Sequence, residues 1–473
     1  MRSFATAVAG LSFSVAALAI PAPAPATSPA PTEAPQLEGR DLSGLLGSVV
    51  GEITSAIAAN DASSVLSALK SQTATTTVTA PSQAQSALSS IWATASPSNI
   101  IEYNALLVAN GLTASSVADG IEAFSAEFSA EGSSSNSNPD PPTAVYPKKG
   151  ACDAPYSISE STLRSAIYIP STFTYGQKPP VVLFPGTGAT GYVTFDGNFI
   201  PLLTGVEYAD PVWVNVPGFL LDDAQHNAEF AAYALNYIAS LTNRNVSIIA
   251  WSQGNIDAQW AFKYWPSTRN VTSDHIAISP DYHGTINANF IDIVGIADAP
   301  SVLQQQYVGT STFIDTLLAD NGDSGYVPTT VLYSGLFDEI VEPQQGTGAS
   351  AFLNDHRGVG VTNNEVQLVC PGQPAGSFYT HESMLINPIS FALSVDALTH
   401  DGPGETSRAV NSSVCDMFIA PGLTIEDFLL TENAILFAGI AILAYEPKVT
   451  AMPAISAYAT ASTTCSSTAT ASS

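Results

Sequence analysis

A serine stands at the end of an apolar run, Val246-Ser247-Ile248-Ile249-Ala250-Trp251-Ser252-Gln253-Gly254, and a helical pattern starts directly after it, running to Tyr264 and stopped by Pro266. A hydroxyl lifted on such a strand-to-helix turn suits nucleophilic attack, because the helix N-terminus directs unpaired N–H groups at negative charge forming beside it. The common G-x-S-x-G pattern reads A-W-S-Q-G here, with Ala250 in place of the first glycine; taken alone, a serine that merely caps a helix looks the same. A serine hydroxyl also needs a base, and in this layout the chain order is Ser, then an acid, then His. The acid chosen is Asp338, in the loop after the strand-like TTVLYSG, with Glu339 second. Three histidines follow it, His356, His381 and His400, and His381 lies directly after the apolar run VQLVC, where a base at the same sheet edge would sit. The other histidines, His226, His275 and His283 among them, read as surface or satisfied core residues. An oxyanion needs two convergent donors: the N–H of Gln253 is one, and the loop Pro185-Gly186-Thr187-Gly188 supplies the second through Thr187. The same loop lacks the following lysine and the G-x-G-x-x-G spacing of a phosphate site.

The elements that must position these groups are short apolar runs separated by helical spans. Candidate strands are 181–186, 212–218, 246–252, 275–281, 329–335 and 366–370, with helical stretches such as AEFAAYALNYIASLT and NIDAQWAFKYW between them. Continuous apolar strands alternating with helices predict an α/β domain over residues 150–473, a mostly parallel central sheet flanked by helices on both faces. Ahead of it, residues 1–19 carry Arg2, a weakly polar run and Ala17-Leu18-Ala19, a signal-peptide pattern. Residues 20–40 form a Pro/Ala-rich spacer. Residues 41–130 show three- and four-residue apolar spacing, as in LSGLLGSVVGEITSAIAA and SVADGIEAFSAEF, a small helical N-terminal region that is either a pro-segment or an accessory unit. Residues 131–149 read as a linker ending in the dibasic pair Lys148-Lys149, which is either a processing site or two exposed lysines.

Thirteen Lys plus Arg against 41 Asp plus Glu give a net charge of −28. A chain this acidic excludes phosphate-backbone binding, so no nucleic acid partner is expected. The 45% hydrophobic content supports a substantial core. Together with the N-terminal pattern, the composition points to a secreted, extracellular protein without a transmembrane anchor. Four cysteines, Cys152, Cys370, Cys415 and Cys465, fit two disulfides of open connectivity and show no metal-ligand spacing, so no metal is expected. Sequons at Asn245, Asn270 and Asn411 are glycosylation candidates.

Several blocks carry a resemblance. PVVLFPGTGATGYVTFDGNFIPLL, AWSQGNIDAQWAFKYWPSTR, ISPDYHGT, APSVLQQQ, VPTTVLYSGLFDEIVEPQ and LTIEDF follow, in order, segments of the fungal lipase B family, over about 300 residues. The resemblance implies an α/β-hydrolase with little or no lid that hydrolyses carboxylic esters, triacylglycerols included, with neither metal nor organic cofactor. It puts the nucleophile on Ser252, the acid on Asp338, the base on His381 and the oxyanion donors on Thr187 and Gln253. Trp251 resembles the residue that limits the alcohol side, and Asp281 and Gln305 fall on polar pocket positions; core packing and a strand-end cap are the plain alternatives for Trp251 and Asp281. Ile340, and Ile435, Ala438 and Ile442 on the helix after TIEDF, would meet the substrate, although that helix could equally be a buried core element. Cys370 and Cys415 match a family disulfide, while Cys152 and Cys465 stand where Val212 and Tyr445 replace the family partners, so the two are either free or joined to each other. The resemblance is silent on residues 41–130, which could aid folding, inhibit the pocket or form a surface module. The expected function is a monomeric secreted serine ester hydrolase of lipase type acting on lipid or ester substrates. Its alternatives are a short-chain esterase or acyltransferase with the same triad, and a lipid-binding surface protein without catalysis.

Overall fold

The apolar runs become strands because residues pointing to either side of the sheet meet a helical layer. The computed structural model describes residues 62–94, 100–113, 130–290, 298–335 and 337–460, all within a compact unit spanning Gly44–Ser473. The expected signal peptide and spacer, the apolar segments at 42–59 and 116–128, and Cys465 lie outside the described residues. Strands β1 (Ile167–Tyr168), β2 (Pro180–Phe184), β3 (Asp210–Val214), β4 (Val246–Trp251), β5 (Thr272–Ile278), β6 (Thr329–Tyr333) and β7 (Val361–Glu365) form one sheet in the order β1-β3-β2-β4-β5-β6-β7. Every pairing is parallel except β1 with β3. The chain thus steps outward from β2 to β3 and returns on the other side as β4, which opens a crevice between the carboxyl ends of β2 and β4.

Among the helices described ahead of the sheet are α1 (Ala62–Lys70), α2 (Pro81–Thr94) and α3 (Ile100–Ala109). The others used below are α4 (Ala224–Thr242), α5 (Gln253–Tyr264), α6 (Val366–Val369), α7 (Pro388–Thr399) and α8 (Ile425–Ala444). The two-residue period of the strands sorts their side chains between two cores. Val182, Phe184, Ile248 and Val331 pack with Leu235, Ile238 and Trp260 from α4 and α5. Val181, Leu183, Ile249 and Ile276 pack on the opposite face with Leu393 of α7 and Leu436 of α8. Val65, Leu69, Leu88, Leu106 and Leu107 of α1–α3 belong to this second cluster, so the N-terminal helices share a core with the sheet. Among the described residues α8 is the one helix long and apolar enough to cross a membrane, and 72% of its apolar window is buried inside the fold, as expected of a core helix.

Two expectations are corrected. Residues 366–370 are not a strand: α6 occupies them, and the seventh strand is the polar run Val361–Glu365 just before. As an edge strand β7 has a partner only in β6, and its polar side chains bond neighbouring backbone, Asn364 Nδ2 donating to Val331 O at 2.9 Å and Asn363 exchanging two bonds with Leu353. Apolar alternation therefore never develops there. The segment 131–149 is not a free linker either. Trp213 Nε1 and Asn215 Nδ2 both donate to Glu131 O at 2.8 Å, Asn138 Nδ2 donates to Ile167 O at 2.7 Å, and Tyr237 donates to Pro139 O at 2.7 Å. Val145 is buried and Tyr146 stacks on Tyr156 at 5.8 Å. Its Ser, Asn and Pro residues make it a strap whose backbone oxygens serve donors on the domain.

Candidate active site

Ser252 follows β4 and caps α5 with φ 55° and ψ −131°, a left-handed backbone that a non-glycine residue adopts at a cost of about 1–3 kcal/mol. Two glycines make the turn possible. A Cβ at Gly254 would lie 2.3 Å from Pro185 O, and one at Gly186 would lie 2.7 Å from the Trp251 ring and 2.9 Å from Ser252 Cβ. The loops after β2 and β4 therefore meet in the crevice with backbone against backbone. Ala250 is fully buried in the strand, paired between Phe184 and Ala277.

His381 Nε2 lies 2.7 Å from Ser252 Oγ, and His381 Nδ1 lies 3.0 and 3.1 Å from the two Asp338 oxygens. Asp338 Oδ1 also accepts the N–H groups of Ile340 at 3.0 Å and Val341 at 2.7 Å, so the carboxylate is fixed by its own loop after β6. Burial alone would lower the basicity of His381, yet the charge and hydrogen bond of Asp338 outweigh it and raise the imidazole above its ordinary value. The histidine backbone is held from three sides. Trp251 Nε1 and Ser279 Oγ donate to its carbonyl at 3.1 and 2.9 Å, and its N–H donates to Glu339 Oε2 at 3.1 Å. Asp338 thus meets the imidazole, and Glu339, the second choice, meets the backbone N–H of His381 instead.

The first N–H of α5 belongs to Gln253, and a helix offers no internal acceptor for its first amide. Opposite it the Thr187 hydroxyl donates to Gln253 Oε1 at 2.7 Å and lies 3.1 Å from Gln305 Oε1. Gln305 Nε2 donates to Gln253 Oε1 at 2.9 Å and Gln253 Nε2 to Leu220 O at 3.0 Å. These glutamines fix each other and leave the amide of Gln253 and the Thr187 loop facing Ser252. What the arrangement can do chemically is deprotonate Ser252 and stabilise an oxyanion beside it.

The cavity above Ser252 measures about 30 Å³ and is lined by Trp251, Gln305, Ile340, Ile435, Ala438 and Ile442, all expected from sequence, together with Ile100, Thr285, Ala288 and Val302, which were not. Nothing in the type or spacing of Ile100 marks it, since it starts α3 far from the catalytic segments; Val302 lies in the block APSVLQQQ. Asp281 is corrected: it is not one of the lining residues. It is fully buried after β5, and both its oxygens lack a hydrogen-bond partner. Burial pushes its carboxyl up to about 7. His275 is a core histidine, Nε2 at 3.1 Å from Asn255 Oδ1. Cys370 and Cys415 form a disulfide that anchors the start of the loop bearing His381. Cys152 is also disulfide-bonded. Asn245, Asn270 and Asn411 are exposed.

No family model matches the chain. Lipase B of Pseudozyma antarctica is 32% identical over 313 residues, 65% of this chain and 86% of that protein. The crystal structure of Aspergillus fumigatus lipase B is 42% identical and superposes with a TM-score of 0.78, covering 88% of this chain and 99% of that one. A relation of this extent, joined to a serine, histidine and aspartate set at the carboxyl edge of a mostly parallel sheet, places the chain in the lipase B family of α/β-hydrolases.

Proposed function

We propose that the protein is a secreted serine carboxylic-ester hydrolase of lipase type that works through an acyl-enzyme. The observation that carries this reading is His381 Nε2 at 2.7 Å from Ser252 Oγ on the floor of an apolar cavity. His381, oriented by Asp338, takes the proton as Ser252 Oγ bonds to the ester carbonyl carbon; the oxyanion is held by the amide of Gln253 and by Thr187. The alcohol departs with the proton from His381. Water then attacks the acyl-enzyme, giving its proton to His381, and the acid leaves as Ser252 regains a proton. Apolar lining from Ile435, Ala438 and Ile442 supports an acyl chain, triacylglycerol chains included. The N-terminal signal pattern, the disulfides and the exposed sequons support secretion.

The cavity is narrow as it stands, about 30 Å³. Ile100 of α3 is part of its wall, and α3 is joined to α8 by Asn104 Nδ2 donating to Ile435 O at 3.2 Å. α3 therefore acts on the pocket itself, shifting for substrate to enter. Ser252→Ala should lower ester hydrolysis by about 10⁴-fold or more while leaving the fold intact, and a fluorophosphonate should label wild-type Ser252 stoichiometrically. Retention of most activity in the variant would overturn the mechanism. Rates on emulsified triolein against a soluble butyrate ester separate the lipase from a short-chain esterase or acyltransferase; no hydrolysis of triolein would assign the narrower activity.

A further inference from the structure

Besides the triad, three more carboxyl groups converge on the histidine loop. Glu339 follows Asp338, Glu382 follows His381, and Glu432 lies within α8. Glu382 and Glu432 are 0% exposed. Glu339 spends one oxygen on the His381 N–H. Its Oε1, Glu382 Oε2 and both Glu432 oxygens are buried without a hydrogen bond of good geometry, with the Thr380 hydroxyl beside Glu432. None of the ion pairs among the described residues involves these three acids. Glu382 lies within hydrogen-bonding range of both Glu339 and Glu432. The other titratable groups facing the cluster are Asp338 and His381 from the triad and Tyr103 from α3, whose hydroxyl is 3.5 Å from Glu382 Oε1.

Carboxylates that face each other repel, whereas carboxylic acids satisfy each other because each O–H finds an acceptor in its neighbour. The unserved oxygens therefore mark where protons sit. Burial holds Glu339 and Glu382 well above the usual carboxylate range, and the charges of the neighbouring acids push in the same direction; burial likewise pushes Glu432 up to about 8, against the hydrogen bond from Glu382. Burial therefore favours the protonated form of all three.

We propose that Glu339, Glu382 and Glu432 are positioning residues that work as one neutral, proton-sharing unit, tying the catalytic histidine's backbone to α8, the helix that lines the pocket. Their function in catalysis rests on the hydrolase reading above. Loss of a proton from the unit leaves an unpaired buried charge beside His381 and breaks the carboxyl contact to α8, so the active geometry is lost toward alkaline pH even though His381 itself becomes a better base there. Stability moves the same way. Each folded value lies above the ordinary value of 4.5, so the contribution of the unit is complete below that value and is lost as pH rises through the folded value, near 8 for Glu432.

The test compares full-length wild type with Glu432→Gln and Glu432→Ala, measuring kcat and KM on a soluble butyrate ester and thermal unfolding from pH 5 to 10. Wild type should lose kcat above pH about 8 with little change in KM, and its Tm should fall across the same interval. Glutamine keeps a hydrogen-bonding neutral group, so Glu432→Gln should match wild type within about twofold near pH 6.5. At pH 9 it should keep about tenfold more of its neutral-pH rate, the factor by which a group titrating near 8 would have ionised. Glu432→Ala should lose kcat at every pH. An alkaline limb and a Tm profile unchanged in Glu432→Gln would overturn the proposal. Should that variant fail to fold, Glu382→Gln repeats the comparison, and a wild-type Tm that is flat from pH 5 to 9 overturns the proposal without any variant. Fluorophosphonate labelling separates the two failures. Unlabelled wild type sinks the hydrolase reading while the Tm profiles still decide the cluster; full labelling with an unmoved alkaline limb sinks the cluster alone.

Discussion

Asp338→Asn separates orientation from charge at this site, because the structure dictates which way the amide must point. Asp338 Oδ1 accepts two backbone N–H groups, from Ile340 at 3.0 Å and Val341 at 2.7 Å, and lies 3.1 Å from His381 Nδ1, while Oδ2 has no backbone donor and lies 3.0 Å from the same Nδ1. An asparagine that kept its oxygen toward the two amides would present its NH₂ to Nδ1. That donor stabilises the imidazole tautomer with Nδ1 bare and the proton on Nε2. Nε2 lies 2.7 Å from Ser252 Oγ, and once protonated it cannot take the serine proton. The reverse orientation sets an NH₂ against two backbone N–H groups in a position that is 1% exposed, which is worse. We expect kcat to fall about 10⁴-fold with KM nearly unchanged, about 5 kcal/mol of transition-state stabilisation. The adjacent Glu339→Gln should stay within about threefold of wild type, since its amide oxygen can still accept the His381 N–H and its NH₂ can still donate to Glu382. Steady-state kinetics on a butyrate ester with a thermal melt as folding control make the comparison. Asp338→Asn retaining a tenth or more of wild-type kcat, or Glu339→Gln being the more damaged of the two, would refute this assignment of the acid.

The remaining expectations use the same assay or a melt. Hydrolysis needs neutral His381, whose proton affinity is raised by Asp338 despite burial; kcat/KM should therefore fall on acidification through an apparent pKa above the ordinary 6.5 of histidine, and an acid limb centred below 6.5 would contradict the charge balance of the site. Gly254→Ala would put a Cβ 2.3 Å from Pro185 O and 3.0 Å from Phe184 O, so it should destabilise by about 2 kcal/mol or more and disturb the oxyanion amide next to it; a wild-type Tm and rate would show that the β2 and β4 loops do not meet as described. Ile100→Ala removes cavity wall supplied by α3 and should raise kcat/KM for a long-chain ester relative to butyrate severalfold; an unchanged ratio would take α3 out of the substrate path.

How much of this was legible depended on whether a feature is carried by residue type or by what lies opposite. Ser252, Asp338 and His381 could be found because a serine, an acid and one of only six histidines had to appear in one order, each in a loop after an apolar run. The helix beginning at TIEDF was legible for the same reason: its length and its capping residues Thr424 and Asp427, which form a capping box, are local. Ile100, Tyr103 and Glu432 carried no such signal, since an isoleucine, a tyrosine and a glutamate on helices acquire meaning only when α3 and α8 pack beside the histidine loop.

The strap at 131–149 and the run at 366–370 went astray in opposite directions, and the cause is shared. Hydropathy reports what a side chain buries, not what a backbone oxygen bonds. A polar Ser/Asn/Pro stretch looked unattached although Trp213, Asn215 and Tyr237 reach out to its carbonyls, and an apolar VQLV looked like a strand although the edge of the sheet was already taken by the polar VTNNE. His381 nevertheless faces Ser252 at 2.7 Å, because β7 and α6 are consecutive and the chain passes from both into the same loop. Topology tolerates an error of one element where chemistry does not tolerate an error of one residue: the same argument that reached His381 through a misplaced strand would have failed had the serine been placed one position away, off the turn at φ 55° that lifts its hydroxyl out of the sheet.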